Sequence, residues 1–235
     1  MQVRQTDAAG NVGAVGSHAA AITVDITAPA APTLALASDT GASAADGLTS
    51  AGTVLVSGLE AGASWEYSTD GGQSWTAGSG ERFVLAEGGY AAGVVQARQT
   101  DAAGNTGAAG SNLAAITVDT TAPAEPVLTL ASDTGTSAAD GLTSAGTILV
   151  SGLEAGASWE YSSDGGQSWS AGSGERFVLA EGRYAAGTLQ VRQTDAAGNT
   201  GAAGSNGAAI TVDTTAPAAP SLALASDTGP APPTG

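Results

Sequence analysis

Acidic and amide side chains recur at fixed places in the loops of this 235-residue sequence. Carboxylate and amide oxygens are the ligands that Ca²⁺ prefers in proteins. The alternative is that Asp and Asn stand in these loops only as turn formers, which is a common use of both residues. The candidate calcium ligands fall in four motifs, VDxTAP (Asp25, Asp119, Asp213), TDAAGN (Asp101, Asn105, Asp195, Asn199), GLEAG (Glu60, Glu154) and SDTGxSAADG (Asp39, Asp46, Asp133, Asp140).

Few residues of the chain are of the types that catalyse reactions in enzymes. The chain contains no cysteine, and its single histidine, His18, is replaced by Asn112 and Asn206 at the equivalent positions of the sequence repeat described below. Nucleophilic triads and zinc sites need such residues, and neither a phosphate-binding nor a dinucleotide-binding glycine motif precedes a helical pattern. We therefore expect no enzyme activity and no catalytic residue.

One motif has an enzymatic association. Ser68–Trp75, repeated at Ser162–Trp169, matches the Asp-box of sialidase propellers. We expect a hairpin in which Asp70 accepts hydrogen bonds from its own turn and Trp75 packs beneath it. A glycosidase needs paired catalytic carboxylates, and a sialidase would also carry several boxes and an arginine cluster, so a glycosidase fragment is the least favoured alternative.

Charge and hydropathy exclude further classes. The chain has 22 acidic residues against six arginines and no lysine, for a formal net charge of −16. Such a surface repels nucleic acid and anionic membranes, so we expect neither as a partner. No apolar run reaches the roughly 20 residues of a membrane span, and we expect no membrane insertion in this segment. Bound calcium could supply the stabilisation that disulfides give other secreted domains.

The sequence repeats itself with a period of 94 residues, as the positions of RQTDAAGN at Arg4, Arg98 and Arg192 show. Residues 33–126 and 127–220 are identical at 82 of 94 positions. We divide the chain into the last hairpin and linker of one repeat (1–32), two complete repeats (33–126 and 127–220) and the truncated first strand of another (221–235). The expected partners of each repeat are its neighbours in the same chain.

Apolar residues within a repeat come in short alternating runs separated by turn residues, which predicts an all-β fold of tandem immunoglobulin-like β-sandwiches arranged end to end. The tryptophan Trp65 and the tyrosine Tyr90 are expected in the core. The predicted strands of the first complete repeat are Thr33–Ala37, Gly52–Gly58, Ser64–Ser68, Ser74–Ala77, Glu81–Ala86, Val94–Thr100 and Ala114–Val118.

The linker TAPAEP contains Pro123 and Pro126, which restrict the backbone and predict a short, stiff joint. In stacked sandwiches the linker leaves from one end of a domain, and the GLEAG and TDAAGN loops lie at the facing end of the next. Converging carboxylates repel one another unless a cation lies between them. We therefore predict a calcium-clamped junction that combines Asp119, with Asp39 or Asp46, and Glu154, Asp195 and Asn199.

These motifs together resemble the bacterial immunoglobulin-like repeats of giant calcium-dependent adhesins exported by type I secretion. The resemblance rests on LASDTGxSAADGLTSAGT, VSGLEAGASWEYSxDGGQSW and VRQTDAAGNTGAAGSN followed by AAITVDTTAPAAP. It implies secreted, non-catalytic repeats at the bacterial cell surface that extend an adhesive tip, with calcium stiffening the junctions and with adhesion or biofilm formation as the outcome. A surface or host ligand would then bind through domains outside this chain, and the alternative is a glycan-binding or protein-binding module.

Overall fold

The computed structural model describes residues 1–223, 225 and 229, and within that part every regular element is a β-strand. The all-β prediction is confirmed. The strands are β1 (Gln2–Val3), β2 (Gly16–Ser17), β3 (Thr33–Leu36), β4 (Leu48–Thr49), β5 (Thr53–Ser57), β6 (Ser64–Ser68), β7 (Thr76–Ala77), β8 (Arg82–Val84), β9 (Gly88–Tyr90), β10 (Gln96–Thr100), β11 (Gly110–Ser111), β12 (Ile116–Val118), β13 (Val127–Leu130), β14 (Leu142–Thr143), β15 (Thr147–Ser151), β16 (Ser158–Ser162), β17 (Ser170–Ala171), β18 (Arg176–Val178), β19 (Gly182–Tyr184), β20 (Gln190–Thr194), β21 (Gly204–Ser205) and β22 (Ile210–Val212).

The chain forms two compact units. The first comprises residues 1–121 together with the short turn 195–199, and the second comprises residues 122–194 and the described residues from 200 onward. A short stretch of the second repeat, the turn of its TDAAGN motif, is thus packed into the first unit.

Each complete repeat builds the same three small sheets. In the first unit these are β3-β5-β8, β11-β10-β6-β7 and β4-β12-β9, all antiparallel except for the parallel pair β4 and β12. In the second unit the equivalent sheets are β13-β15-β18, β17-β16-β20-β21 and β14-β22-β19, with β14 parallel to β22. The sheets enclose one apolar core in each unit, as expected of a β-sandwich.

The core of the first unit is built from the inward-facing residues of alternating strands. Val54 and Val56 of β5 are buried with Trp65 of β6, and Phe83 of β8 stacks on Tyr67 at a centroid distance of 4.2 Å. The indole nitrogen of Trp65 donates to the Gly80 carbonyl at 2.9 Å, which satisfies its one polar group. The second unit repeats this core with Ile148, Val150, Trp159 and Phe177.

All seven predicted strands of the first complete repeat are present; Ser64–Ser68 has the predicted bounds, and the other six are shorter by one to three residues. Three short strands were not predicted, namely β4, β9 and β11. They span only two or three residues each, which is too short for an alternation that would distinguish them from loops.

The first 28 residues are exposed, and within them β1 pairs with β2 through Gln2 and Ser17. This hairpin lies within residues 1–32, and their assignment to the end of a preceding repeat stays a prediction. The predicted first strand at 221–235 lies largely outside the described residues. No helix in the described part of the chain is long and apolar enough to cross a membrane.

Candidate functional site

The TDAAGN turn has the same geometry each time it occurs. In the copy at 101–105, Asp101 Oδ1 accepts the backbone N–H groups of Ala103 and Asn105 at 2.9 and 2.8 Å. The other oxygen, Oδ2, accepts the Asn105 amide at 2.9 Å. These bonds, led by the Asn105 side chain, hold the pKa of Asp101 below its usual range. The turn is therefore preformed by its own aspartate.

The copy at 195–199 differs in its surroundings. Ala197 is 1% exposed, whereas its counterpart Ala103 is exposed. Burial alone would raise the pKa of Asp195, but hydrogen bonds from Asn199 and the turn amides together keep it below the usual value. This turn is seated in a groove of the first unit, which we call the loop cleft and which is formed by Thr40, Gly41 and Ser50.

The seated turn is held by its backbone carbonyls. Ala197 O accepts the Thr40 hydroxyl at 2.6 Å and the Ser50 N–H at 3.1 Å. Ala196 O accepts the Ala42 N–H at 3.3 Å. Because the cleft bonds the carbonyl oxygens of the turn, binding depends on the backbone shape of the turn and on the absence of large side chains from it.

The linker that precedes each sandwich is fixed to that sandwich. In the first unit the Asn105 amide donates to Asp25 O at 3.1 Å, and the Gln99 amide donates to Ala30 O at 2.8 Å. Two glycines allow the linker to pass close by, since a Cβ on Gly107 would lie 2.2 Å from Pro29 O and one on Gly110 would lie 1.7 Å from a proline carbonyl. The prolines of the linker thus lie against a surface shaped to receive them.

The same fixation recurs in the second unit. Gln193 donates to Ala124 O at 2.8 Å, and Gly201 leaves room for Pro123 O, 2.3 Å from where a Cβ would lie. The glutamines at 99 and 193 were missed as functional residues by the sequence analysis. The sequence does contain one indication of their role. Each glutamine occupies an inward-facing position of the strand that contains RQT, and a polar side chain buried there requires hydrogen-bond partners.

The linker aspartates use their side chains locally. Asp25, Asp119 and Asp213 each accept, through Oδ1, the N–H of the threonine two residues later at 3.0 Å. The main-chain oxygen of Asp119 accepts the Asn199 amide at 2.7 Å. The structure therefore brings together one predicted pair, the linker aspartate and the turn asparagine, and does so through the peptide oxygen.

Glu60 and Glu154 join the site through their backbone. Each donates its N–H to the buried glutamine of its own sandwich, Gln99 or Gln193, at 2.8 Å. Both glutamate side chains are exposed. Their role as calcium ligands stays a prediction.

The SDTG loop holds the one unusual carboxylate. Asp39 Oδ2 accepts the Gly47 N–H at 2.9 Å, but Oδ1 is buried and has no hydrogen-bond partner. Asp133 repeats this arrangement, with Gly141 as the donor to Oδ2 at 2.9 Å and a buried, unpartnered Oδ1. Buried polar atoms are nearly always paired, so an unpartnered carboxylate oxygen in both copies fits the binding of a cation or a water.

The remaining loop aspartates, Asp46 and Asp140, accept the N–H of the leucine two residues later at 3.0 Å. Asp140 and Asp213 line one open cavity of about 270 Å³ in the second unit, together with the hydroxyls of Thr134 and Ser144. Among the residues that the structure describes, no three His, Cys, Asp or Glu side chains cluster closely enough to hold a metal by themselves. A calcium ion in these loops would need main-chain and hydroxyl oxygens as further ligands.

The Asp-box forms the expected hairpin. Asp70 Oδ1 accepts the N–H groups of Gln73 and Ser74 at 2.9 Å, and the hydroxyl of Ser68 donates to it at 2.7 Å. Hydrogen bonds from Ser74 and Ser68 lower the pKa of Asp70 to about 2. The carboxylate is thus used to close its own turn.

Comparison with known proteins gives matches among solved structures. No protein-family model and no curated protein matches the chain. Among solved structures, one described as a Ca²⁺-stabilised adhesin that helps an Antarctic bacterium reach out and bind ice matches at 24% identity and a TM-score of 0.37. The match covers 92% of this chain and 57% of that chain, so this chain spans little more than half the length of that structure.

Proposed function

We propose that this chain is a non-catalytic spacer segment of a secreted, adhesin-like protein of the bacterial cell surface. The observation that carries the proposal is the fixed linker. In each unit, the linker that enters the sandwich is held by a buried glutamine and by glycines that admit its carbonyls. A spacer needs linkers that do not move freely against the domains that they enter, and linkers held in this way meet that need.

The repetition supports the same function. Two complete repeats share 82 of 94 residues and the same core, and the loops differ little between them. A binding module that recognises varied ligands would show differing, aromatic-bearing loops. Uniform Gly-, Ala- and Ser-rich loops favour a repeated structural task, with adhesion or biofilm formation supported through domains beyond this chain.

We propose in addition that calcium stabilises each repeat at the SDTG loop. Asp39 Oδ1 and Asp133 Oδ1 are buried anionic oxygens without a partner, and a hard cation is the partner that such an oxygen fits best. The ion would neutralise the carboxylate and hold the loop in place. The strongly acidic chain, at −16, would gain further from bound cations.

Linker stiffness can be measured directly. We expect ¹⁵N relaxation of residues 120–126 to give order parameters close to the roughly 0.85 of a rigid backbone. The variant G201V places a side chain against Pro123 O and should reduce them below about 0.6. G207V is the matched control, since a Cβ there meets nothing within 4 Å. Order parameters that are low in the unaltered chain would contradict the spacer function.

Calcium binding is tested by calorimetry with Ca²⁺ and with a chelator. We expect both repeats to melt at higher temperature with calcium, and D39N and D133N each to remove the shift from one repeat only. Equal melting with and without calcium would overturn the calcium site and leave the spacer function standing. Isothermal titration gives the number of ions for each repeat.

A further inference from the structure

The two complete repeats differ at the residue that follows a buried asparagine. Asn206 of the second repeat is followed by Gly207, whereas its counterpart Asn112 in the first repeat is followed by Leu113. Both asparagines are 5% exposed. The pair at 206 and 207 is the single Asn-Gly pair of the chain, since every other asparagine precedes valine, threonine or leucine. The second repeat therefore contains a dipeptide with a chemistry of its own.

An asparagine followed by glycine is prone to spontaneous deamidation. The backbone nitrogen of the glycine attacks the side-chain carbonyl carbon, a five-membered succinimide ring closes, and the side-chain nitrogen leaves as ammonia with the proton of the attacking nitrogen. One water molecule then opens the ring at either carbonyl, which restores an amide N–H and leaves an aspartate or an isoaspartate. Glycine favours the attack because it has no Cβ and a wide range of backbone angles, whereas the side chain of Leu113 hinders it.

The folded repeat holds the side chain of Asn206 in a network of hydrogen bonds. Its Oδ1 accepts the Leu189 N–H at 2.9 Å, and its amide donates to Ala185 O at 2.9 Å and to Ala208 O at 2.8 Å. Ring closure expels the amide nitrogen, which makes two of these bonds, so the reaction requires the buried network to break. Gly207 is exposed, and the protection therefore comes from the bonds of the asparagine.

The product of deamidation does not suit the site that the amide occupies. A carboxylate at position 206 would direct oxygen at the carbonyl oxygens of Ala185 and Ala208, which now accept hydrogen bonds from the Asn206 amide. A buried negative charge that lacks donors on this side is costly, because it has given up its hydration without full compensation. A repeat that has deamidated while unfolded is therefore hindered from regaining its native fold.

We propose that Asn206 is a deamidation site that reacts when the second repeat unfolds, and that its reaction hinders the repeat from refolding. The first repeat lacks such a site, because Leu113 follows its asparagine. In a spacer under tension, unfolding of the second repeat would thus leave a permanent chemical mark in that repeat. The inference rests on the Asn-Gly pair and the buried network, so it stands independently of the spacer function and of calcium.

The reaction is measured on the whole chain, folded in buffer and unfolded in guanidinium chloride, by mass spectrometry of peptides from both repeats. We expect deamidation at Asn206 to be at least about tenfold faster in the unfolded chain than in the folded chain, and at least about tenfold faster than at Asn112 in the unfolded chain. Mass is the suitable readout, because the Asp-Gly pairs of the chain isomerise without any change of mass. Equal rates in either comparison would overturn the proposal.

The two repeats supply matched variants of the neighbouring residue. L113G gives the first repeat the Asn-Gly pair, and G207L removes the pair from the second. Leu113 is 94% exposed and a Cβ on Gly207 meets nothing within 4 Å, so neither change disturbs the folded network. In the unfolded chain that carries both changes, we expect the fast deamidation to move from Asn206 to Asn112. Fast reaction that persists at Asn206 in this chain would also overturn the proposal.

The effect of the product is tested with N206D, which places one of the two products in the chain directly. We expect the second repeat of this variant to melt at least about 10 °C lower than in the unaltered chain at neutral pH, or not to fold at all. G207L is the control and should melt as the unaltered chain does, because it leaves the amide in place. A second repeat that melts unchanged in N206D would overturn the hindered refolding.

Discussion

The two complete repeats have the same interior and different ends. Trp65 and Trp159 are each 7% exposed and each donate to a glycine carbonyl at 2.9 Å. In contrast, the TDAAGN turns of the two repeats differ in burial, because Ala103 is exposed where its counterpart Ala197 is buried. Near-identical sequences thus fold alike inside, while the surroundings of the same turn differ between the two copies.

Removing the core tryptophan should cause the largest loss of stability, and the loss should be the same in both repeats. W65A and W159A each remove a buried indole, and we expect each to destabilise its own repeat by about 3–5 kcal/mol. Chemical denaturation followed by the fluorescence of the remaining tryptophans measures both. A difference of more than about 1 kcal/mol between the two variants would show that the interiors are not equivalent.

Substitution of the SDTG-loop glycine should cause a smaller loss of stability, and this loss should differ between the two repeats. G41A and G135A introduce a side chain at nearly the same positive φ, which costs about 1–2 kcal/mol in either repeat. Only at Gly41 does the new methyl group collide with Ala196 O, and we expect a further cost of about 1–3 kcal/mol there. Differential scanning calorimetry of the two variants gives the difference. Equal costs would mean that the seated turn adds no constraint.

Acid should affect the two Asp-boxes equally. The pKa of Asp70 and of Asp164 is lowered from 3.8 to about 2, first by the neighbouring serine hydroxyl. Since the folded pKa lies below the unfolded one, the stabilisation is complete above pH 3.8 and is lost as the pH falls through about 2. Carboxyl ¹³C titration should give matching midpoints near 2, and a midpoint near 3.8 in either repeat would contradict the closed hairpin.

The smallest effect concerns a surface ion pair. Arg98 lies over the Trp75 ring at 4.0 Å and pairs with Glu66 at 2.9 Å, with both charged groups more than a third exposed. Because solvent screens such pairs, E66Q and its counterpart E160Q should each cost about 1 kcal/mol or less. Urea unfolding checks this value. If one of the two variants lost clearly more stability than the other, the ion pair of that repeat would have a further interaction partner, and the expected equivalence would be wrong.

The buried core residues could be predicted from the sequence. Alternation in runs such as that of Val54 and Val56 reports which side chains face inward, and these positions are buried. Asp70 was correctly predicted to bond its own turn because the glycines and serines that surround it leave that geometry as the simplest one.

The contacts made by the loops could be predicted less well from the sequence. The aspartates at 25 and 119 are predicted calcium ligands, and in the structure Oδ1 of each accepts a hydrogen bond from its own turn. Their role as ligands stays a prediction. The inward position of Gln99 in its strand indicates that its side chain needs partners, but neither Gln99 nor Thr40 shows in the sequence which distant carbonyl it bonds. Contacts between residues far apart in the chain depend on three-dimensional placement, and a periodic pattern holds no information on that placement.

The parallel pair of β4 and β12 has a mechanical consequence. It joins a strand near the start of the repeat to the strand at its end, through the registers Thr117 with Leu48 and Val118 with Thr49. Two further backbone bonds, from Thr117 N to Gly47 O and from Asp119 N to Thr49 O, lie in the same row. A tensile force applied at the two ends of the repeat would load these bonds in shear, so that they share the force and must rupture together.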